Sequence, residues 1–297
     1  MKAVCAFQGA GTALVTPFDR KGELDETALR GLVRRQVEGG IDFLVPCGTT
    51  GETPTLSLSE QERVVALTLE EARGRVPVLA GAGSNDTRVA VERAKTMAAL
   101  GVQGVLSVGP YYNKPTPEGF FRHFSAVADE SPVPVVIYNV PGRTGSNLDA
   151  RTLLRLSLHP NLVAVKEASA SLAQIMEILR DRPEGFIVLS GDDALTLPVV
   201  ALGGEGVISV VSNQIPREMH DLVAAARRGD MAEARRLHNR YLELMNLNFL
   251  ESSPVPVKAS LALLGLCEES YRLPLCPPRD STRDALREAL QTLGLLS

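Results

Sequence analysis

Cysteine, long apolar runs and excess charge are all scarce in this chain, and each shortage excludes a class of protein. The four cysteines among 297 residues lie far apart, at Cys5, Cys47, Cys267 and Cys276. They form no C-x-x-C pair and no cluster with histidine, so neither a zinc site nor a redox pair is predicted. Cys47 lies beside a glycine-rich segment, but no nearby histidine would activate it, which argues against a nucleophilic role.

No stretch of about 18 uncharged apolar residues occurs, so the sequence lacks the usual pattern of a membrane-spanning helix. The first residues, MKAVCAFQGAGTALVTPF, also lack the apolar core and small-residue cleavage site of a signal peptide. We therefore expect a cytoplasmic protein with no membrane partner.

Charge of one sign is scarce as well. The chain has 31 basic and 35 acidic residues, for a formal net charge of -4. This near balance gives no electrostatic reason to expect nucleic acid or an anionic membrane as a partner. Hydrophobic residues make up 44% and charged residues 22%, which is typical of a globular protein with a large core. A small molecule is the expected ligand.

Short apolar runs of strand length recur along the first two thirds of the chain, and segments of helical spacing separate them. The runs are nearly continuous, which is typical of parallel strands covered on both faces. They lie at 11–18, 41–47, 76–82, 104–110, 134–140, 162–168, 186–192 and 206–213. Eight such units favour an α/β fold, the (β/α)8 TIM barrel, because open sheets usually end at about five or six strands.

Helical patterns continue after the last of these runs, at 217–228, 231–251, 255–265 and 280–294. We expect one of these helices to complete the eighth unit and the others to form an addition. The sequence therefore predicts a barrel over residues 1–228 and a small C-terminal helical extension over residues 229–297.

Lys166 ends the sixth apolar run, NLVAVKEAS, where a barrel of this kind carries its reactive groups. If the side chain points into the barrel, loss of solvent disfavours the ammonium and lowers the lysine pKa. A neutral lysine is a nucleophile toward carbonyl groups and forms Schiff bases. An ion pair with Glu167 or another carboxylate is the competing, purely structural interpretation.

Other strand ends carry polar groups that suit chemistry on a small carboxylate. Thr49 and Thr50 lie between glycines after the second run, and their hydroxyls can hold a carboxylate without adding charge. Tyr138 and Arg143 follow the fifth run, where a phenol can move protons and a guanidinium can bind a carboxylate. Either of the last two could instead be structural, through a core hydrogen bond or a surface ion pair.

Five sequence motifs occur together in the order and strand positions of the pyruvate-dependent class I aldolase superfamily. They are GTTGE (48–52), PYYN (110–113), YNVPGRT (138–144), VKE (165–167) and GVIS (206–209). The chain resembles this superfamily over nearly its whole length. Within this superfamily, the segment that contains Arg143 resembles the dihydrodipicolinate synthase family. The corresponding loop of N-acetylneuraminate lyase lacks this arginine.

The resemblance implies a lyase reaction that starts at Lys166, which condenses with pyruvate to form a Schiff base and then an enamine. The enamine carbon attacks the aldehyde of L-aspartate 4-semialdehyde, and ring closure by the substrate amine releases 4-hydroxy-tetrahydrodipicolinate. Tyr138 is then the expected proton donor and acceptor, linked through Thr49 to Tyr112. In this family the tyrosine at the position of Tyr112 reaches in from a neighbouring subunit.

By the same resemblance, Thr50 and Ile208 are expected to hold pyruvate, and Arg143 is expected to bind the carboxylate of the semialdehyde. Lysine supplies the electron sink, so no metal and no cofactor are expected. A homo-oligomer is expected as well, usually a tetramer built as a dimer of dimers. The implied pathway is the synthesis of lysine and diaminopimelate.

The chain departs from the family at the site where lysine inhibits some members, which lies at the dimer interface. Val89 stands where an acid is expected, and Leu58 and Gln61 stand where polar or charged groups are common. Asn85 and Tyr111 are retained. Because an apolar valine cannot offset the desolvation of a ligand ammonium, we expect weak or absent inhibition by lysine.

Two other functions stay open. The first is an aldolase of the same superfamily that acts on a sugar acid or another 2-oxo acid, for which Arg143 is the discriminating residue. The second is a non-catalytic barrel that binds pyruvate-like ligands. It is disfavoured because Lys166, the tyrosines and the threonines are all present together.

Overall fold

The computed structural model describes residues 6–296, which fold around a nearly closed barrel of eight parallel strands. The strands are β1 (Gly9–Ala13), β2 (Phe43–Val45), β3 (Leu79–Gly81), β4 (Gly104–Val108), β5 (Val135–Asn139), β6 (Leu162–Glu167), β7 (Ile187–Ser190) and β8 (Gly206–Ser209). Their order is β2-β1-β8-β7-β6-β5-β4-β3, and a parallel bridge between Leu44 and Val78 joins the two ends. The predicted (β/α)8 barrel is therefore confirmed.

Helices separate the strands and cover the outside of the barrel, and further helices follow β8. They are α1 (Glu26–Glu38), α2 (Leu58–Ala72), α3 (Thr87–Ala99), α4 (Pro117–Glu130), α5 (Pro141–Thr144), α6 (Ala150–Leu156), α7 (Leu172–Asp181), α8 (Thr196–Ala201), α9 (Pro216–Arg227), α10 (Met231–Leu247), α11 (Val255–Leu263) and α12 (Asp280–Thr292). Side-chain caps define where several begin: the Asp86 and Asp149 carboxylates accept backbone N–H bonds, and Ser57 forms a capping box with Glu60. None of the helices found between residues 6 and 296 is long and apolar enough to cross a membrane.

Apolar side chains form two layers. One fills the barrel interior and includes Phe43, Leu106 and Leu189. The other lies between strands and helices and includes Phe124 and Leu153. Successive side chains of a strand point to opposite faces, so a strand that serves both layers must be apolar at nearly every position. This explains why the strands read as continuous apolar runs.

The carboxyl ends of β5, β6 and β7 are in register, which brings their last side chains to one edge of the barrel. Tyr138 on β5 pairs with Lys166 on β6, and Lys166 pairs with Leu189 on β7. The strand register therefore places the predicted nucleophile next to the predicted proton-transfer residue.

The sequence locates every strand, but some boundaries differ. β1 ends at Ala13, whereas the apolar run extends to residue 18, because Leu14, Val15 and Phe18 are buried in the segment that follows the strand. The sequence does not predict the four-residue helix α5 after the run 134–140, since its Pro-Gly start is typical of a turn. Helix α10 packs on α8 and α9. The division of the chain at residue 228 stays a prediction.

Candidate active site

Lys166 lies inside the barrel at the carboxyl end of β6. Ala164, two residues earlier on the same strand, belongs to the interior apolar layer, and the Lys166 side chain is only 5% exposed. Burial lowers the lysine pKa to about 8, because the ammonium loses its solvent. The negative charge of Asp193 opposes this shift and the positive charge of Arg143 adds to it. A substantial fraction of the side chain is therefore a neutral amine near pH 8.

Glu167 is not the partner of Lys166, so the structural interpretation of an ion pair with Glu167 is wrong. Neighbouring residues of a strand face opposite ways, and the buried Glu167 carboxylate points outward. It accepts hydrogen bonds from the Asn139 amide at 3.0 Å, the Ser169 backbone N–H at 2.7 Å and the Gln174 amide at 3.3 Å. Lys166 is thus left available for chemistry.

Tyr138 lies beside Lys166 in the same interior layer. The lysine Nζ is 4.3 Å from the centre of the Tyr138 ring. Burial raises the pKa of the Tyr138 phenol, while the positive charge of Arg143 and a side-chain hydrogen bond with Thr49 lower it. A neutral phenol close to a second hydroxyl is equipped to pass a proton to or from a group bound at Lys166.

A cavity of about 400 Å³ opens above these residues at the carboxyl end of the barrel. Its walls come from the segments after β2, β3, β4 and β5. Thr49, Tyr138, Arg143, Tyr111 and Arg93 are among the lining residues. Lys166 is not among the lining residues, but its Nζ lies against the ring of Tyr138, which is one of them.

Two of the predicted substrate-binding residues, Thr50 and Ile208, are buried, and neither lines the cavity. Thr50 follows Thr49 in a single 3-10 turn, Thr49–Gly51, and is 4% exposed. Ile208 on β8 is 1% exposed and packs in the interior layer with Tyr138 and Leu189. Arg143 lies in α5, is exposed and lines the cavity, and its Nη2 donates to the Ser253 carbonyl at 3.2 Å.

Tyr112 is not part of this cavity. Its side chain is 89% exposed. Its backbone has a φ of 72°, a left-handed conformation that residues other than glycine rarely adopt. Its backbone N–H donates to the Thr144 carbonyl at 3.4 Å. The loop therefore turns the ring outward into solvent. Within one chain, Tyr112 is separated from the Tyr138 and Thr49 pair.

Asp193 is absent from the predicted site residues, although it is the carboxylate that attracts Lys166. It follows β7 and is buried, and its Oδ2 accepts from the backbone N–H groups of Val210 at 3.0 Å and Val211 at 2.8 Å. Burial raises its pKa to about 6. Its Oδ1 has no hydrogen-bond partner among the described residues. Two acids after a buried strand were the available signal in the sequence.

A second, open cavity lies outside the barrel on α2 and α3, where the family's lysine site is expected. The half-exposed Leu58 and Val89 line it together with Asp86, Arg88 and Glu92. Gln61 is buried beneath, and its amide donates to the Leu56 carbonyl at 3.0 Å. The structure thus places the two apolar departures on one wall of this cavity. Weak or absent lysine inhibition stays a prediction.

The fold and the buried lysine at the end of its sixth strand define the class of the protein: it is a (β/α)8-barrel enzyme with a lysine at its centre. The chain belongs to the dihydrodipicolinate synthetase family, whose sequence model matches residues 6–293. The predicted family, fold and lyase class are confirmed.

Similar proteins of known sequence or structure match nearly the full length of the chain. A 4-hydroxy-tetrahydrodipicolinate synthase of Koribacter versatilis is 57% identical over 290 residues, which cover 97% of each chain. The structure of dihydrodipicolinate synthase from Thermotoga maritima superimposes with a TM-score of 0.97 at 42% identity, covering 98% of this chain and 100% of that one. The enzyme from Acinetobacter baumannii, solved in complex with pyruvate, gives a TM-score of 0.96 at 39% identity, covering 97% and 99%.

Proposed function

We propose that this chain condenses pyruvate with L-aspartate 4-semialdehyde to form 4-hydroxy-tetrahydrodipicolinate, in the pathway to diaminopimelate and lysine. The observation that carries the proposal is the buried Lys166, with its pKa near 8, in contact with Tyr138. The names of the similar proteins support the choice of reaction. The pyruvate complex of the similar Acinetobacter baumannii enzyme supports the choice of first substrate.

The neutral amine of Lys166 attacks the ketone carbon of pyruvate, and loss of water gives a protonated imine. The cationic imine draws electrons from the methyl carbon, which loses a proton and becomes the nucleophilic enamine carbon. This carbon forms a bond with the aldehyde carbon of the semialdehyde. The substrate amine then attacks the imine carbon and displaces Lys166, so one water is lost overall and the lysine is regenerated.

Tyr138 gives and takes the protons of these steps, since its ring lies beside Lys166 and it lines the same cavity as Thr49. Thr50 holds the pyruvate carboxylate, and the backbone of Ile208 also contacts pyruvate. Arg143 binds the carboxylate of the semialdehyde, because it is a cation at the cavity wall that acts electrostatically on both Tyr138 and Lys166.

The outward position of Tyr112 supports a shared active site. We propose that the protein is a homo-oligomer, a dimer or a dimer of dimers, in which Tyr112 completes the relay of Thr49 and Tyr138 in the partner subunit. We also propose that the enzyme works in the cytoplasm with the covalent Schiff base at Lys166 in place of a cofactor.

Reduction with borohydride in the presence of pyruvate tests the proposal, because it converts the imine into a stable secondary amine. Peptide mapping should find the adduct on Lys166, and Lys166→Ala should form none. Ring product should then appear when the wild-type protein receives pyruvate and aspartate semialdehyde. An adduct without ring product would indicate an aldolase of the same superfamily that acts on a different acceptor. Absence of any adduct would refute the Schiff base.

A further inference from the structure

A fully buried ion pair joins the Gly-Thr-Thr-Gly-Glu turn to the helices that follow the barrel. The Nζ of Lys258, on α11, lies 2.5 Å from Oε1 of Glu52, and both side chains are 0% exposed. Burying two charges is costly, and such a pair gives little net stability compared with apolar side chains of similar size. Its main physical effect is directional, since it fixes the position of one segment relative to the other.

The segment that Glu52 fixes carries the two threonines of the site. Glu52 directly follows the turn Thr49–Gly51, and its N–H donates to the Thr49 carbonyl at 3.1 Å. It has a φ of 52°, in the left-handed region that is uncommon for residues with a side chain. Its Oε2 also accepts from the backbone N–H of Arg272 at 3.3 Å. Both carboxylate oxygens are therefore held by the chain that follows the barrel.

Lys258 is itself held in place. Its ammonium lies 4.3 Å from the centre of the Phe18 ring and 5.3 Å from that of Tyr271. The same helix begins just after Ser253, whose carbonyl accepts the hydrogen bond from Arg143. Two walls of the cavity, the turn after β2 and the segment after β5, are thus attached to the start of α11.

We infer that Glu52 and Lys258 are positioning residues for the condensation, which hold the Thr49 and Thr50 hydroxyls in line with the Tyr138 phenol and with pyruvate on Lys166. The inference rests on the proposed function. Neither residue lines the cavity, so neither meets a substrate. Their effect passes through the short backbone link between Glu52 and Thr49, where a displacement of about 1 Å can lower a rate by about 100-fold.

The test uses the full-length double variant Glu52→Gln/Lys258→Met, which removes both charges and nearly preserves the volume. We expect a cooperative melting transition close to that of the wild type, together with a kcat lower by about 10- to 100-fold. We also expect slower exchange of the pyruvate methyl protons for deuterium, followed by NMR without semialdehyde. That exchange reports the proton relay at the imine, which a merely stabilising ion pair would not alter.

The matched control is Glu269→Gln/Arg283→Met, which removes an ion pair that is about three quarters buried and lies away from the cavity. It should leave kcat and methyl exchange unchanged. If the double variant at Glu52 and Lys258 does not fold, Glu52→Asp keeps the charge but shortens the side chain, and it should slow exchange in the same way. A folded variant with wild-type kcat and exchange rate overturns the inference. Absence of methyl exchange in the wild type would instead refute the proposed function.

Discussion

The reactivity of Lys166 depends on two charged neighbours as well as on its burial. Desolvation and the positive charge of Arg143 favour the neutral amine, whereas the carboxylate of Asp193 favours the ammonium. The same carboxylate would stabilise the cationic imine that forms on the lysine. Asp193 therefore slows the attack on pyruvate slightly and favours the intermediate that follows.

The pH dependence of imine formation tests this balance. Below its pKa the lysine is mostly protonated and cannot attack, so the initial rate of borohydride-trapped adduct should rise with pH through a midpoint near 8. In Asp193→Asn the attraction that favours the ammonium is lost. The lysine pKa should fall, and the midpoint of the profile should move to lower pH, while the amide oxygen can still accept from Val210 and Val211.

Asp192→Asn is the control, because this neighbouring acid is not among the groups that shift the pKa of Lys166. Its midpoint should equal that of the wild type. A midpoint in Asp193→Asn that stays in place or moves to higher pH would contradict the assigned electrostatic role.

At the level of strands and turns, close backbone contact explains why certain positions carry glycine. A Cβ on Gly81, in β3, would overlap the carbonyl of Cys47 just after β2, at the seam where β2 and β3 meet through a single bridge. Gly81→Ala should therefore force β2 and β3 apart. We expect a loss of about 1–3 kcal/mol in the free energy of unfolding, as for overpacked sites.

Chemical denaturation of the two alanine variants Gly81→Ala and Gly31→Ala checks this prediction. Gly31 lies in α1, and the space that an added Cβ would occupy there is open, so its replacement should stabilise the protein by about 0.5–1 kcal/mol. Equal effects of the two substitutions would show that helix or strand propensity, rather than the contact with Cys47, determines the outcome.

Local pattern predicts the elements of this fold better than their ends. Each strand needs an apolar side chain for the interior and another for the helix layer, and this requirement leaves a continuous run in the sequence. Buried segments outside the strands give the same signal, which is why the run that ends at Phe18 extends beyond β1. Helix α5 has the Pro-Gly start of a turn and leaves no helical signal.

The residues of the site also differ in how well the sequence predicts them. Lys166 and Tyr138 could be predicted because they end strands, where a barrel collects its reactive groups. The ion pair of Glu52 and Lys258 joins positions 206 residues apart, and neither residue has a neighbour in the sequence that indicates the other. Contacts of this kind are determined by the path of the whole chain, so periodicity and spacing do not reveal them.

At the level of the whole molecule, every proposed group of the proton relay except Tyr112 lies at the cavity of its own chain. The exposed ring points away from its own cavity, while Thr49 and Tyr138 lie within it. If Tyr112 serves the neighbouring subunit, an active site takes its lysine from one chain and this tyrosine from the other. Two inactive variants can then restore each other.

Lys166→Ala lacks the nucleophile but keeps Tyr112, and Tyr112→Phe keeps the nucleophile but lacks the phenol. In a mixed dimer, the site of the Tyr112→Phe subunit would receive an intact tyrosine from its Lys166→Ala partner and become active. Random pairing in equal amounts makes half of the dimers mixed, each with one working site of two, so co-expression should restore about a quarter of wild-type activity. If Tyr112 acts within its own chain, every site keeps its defect, and the mixture should be no more active than the average of its two parents.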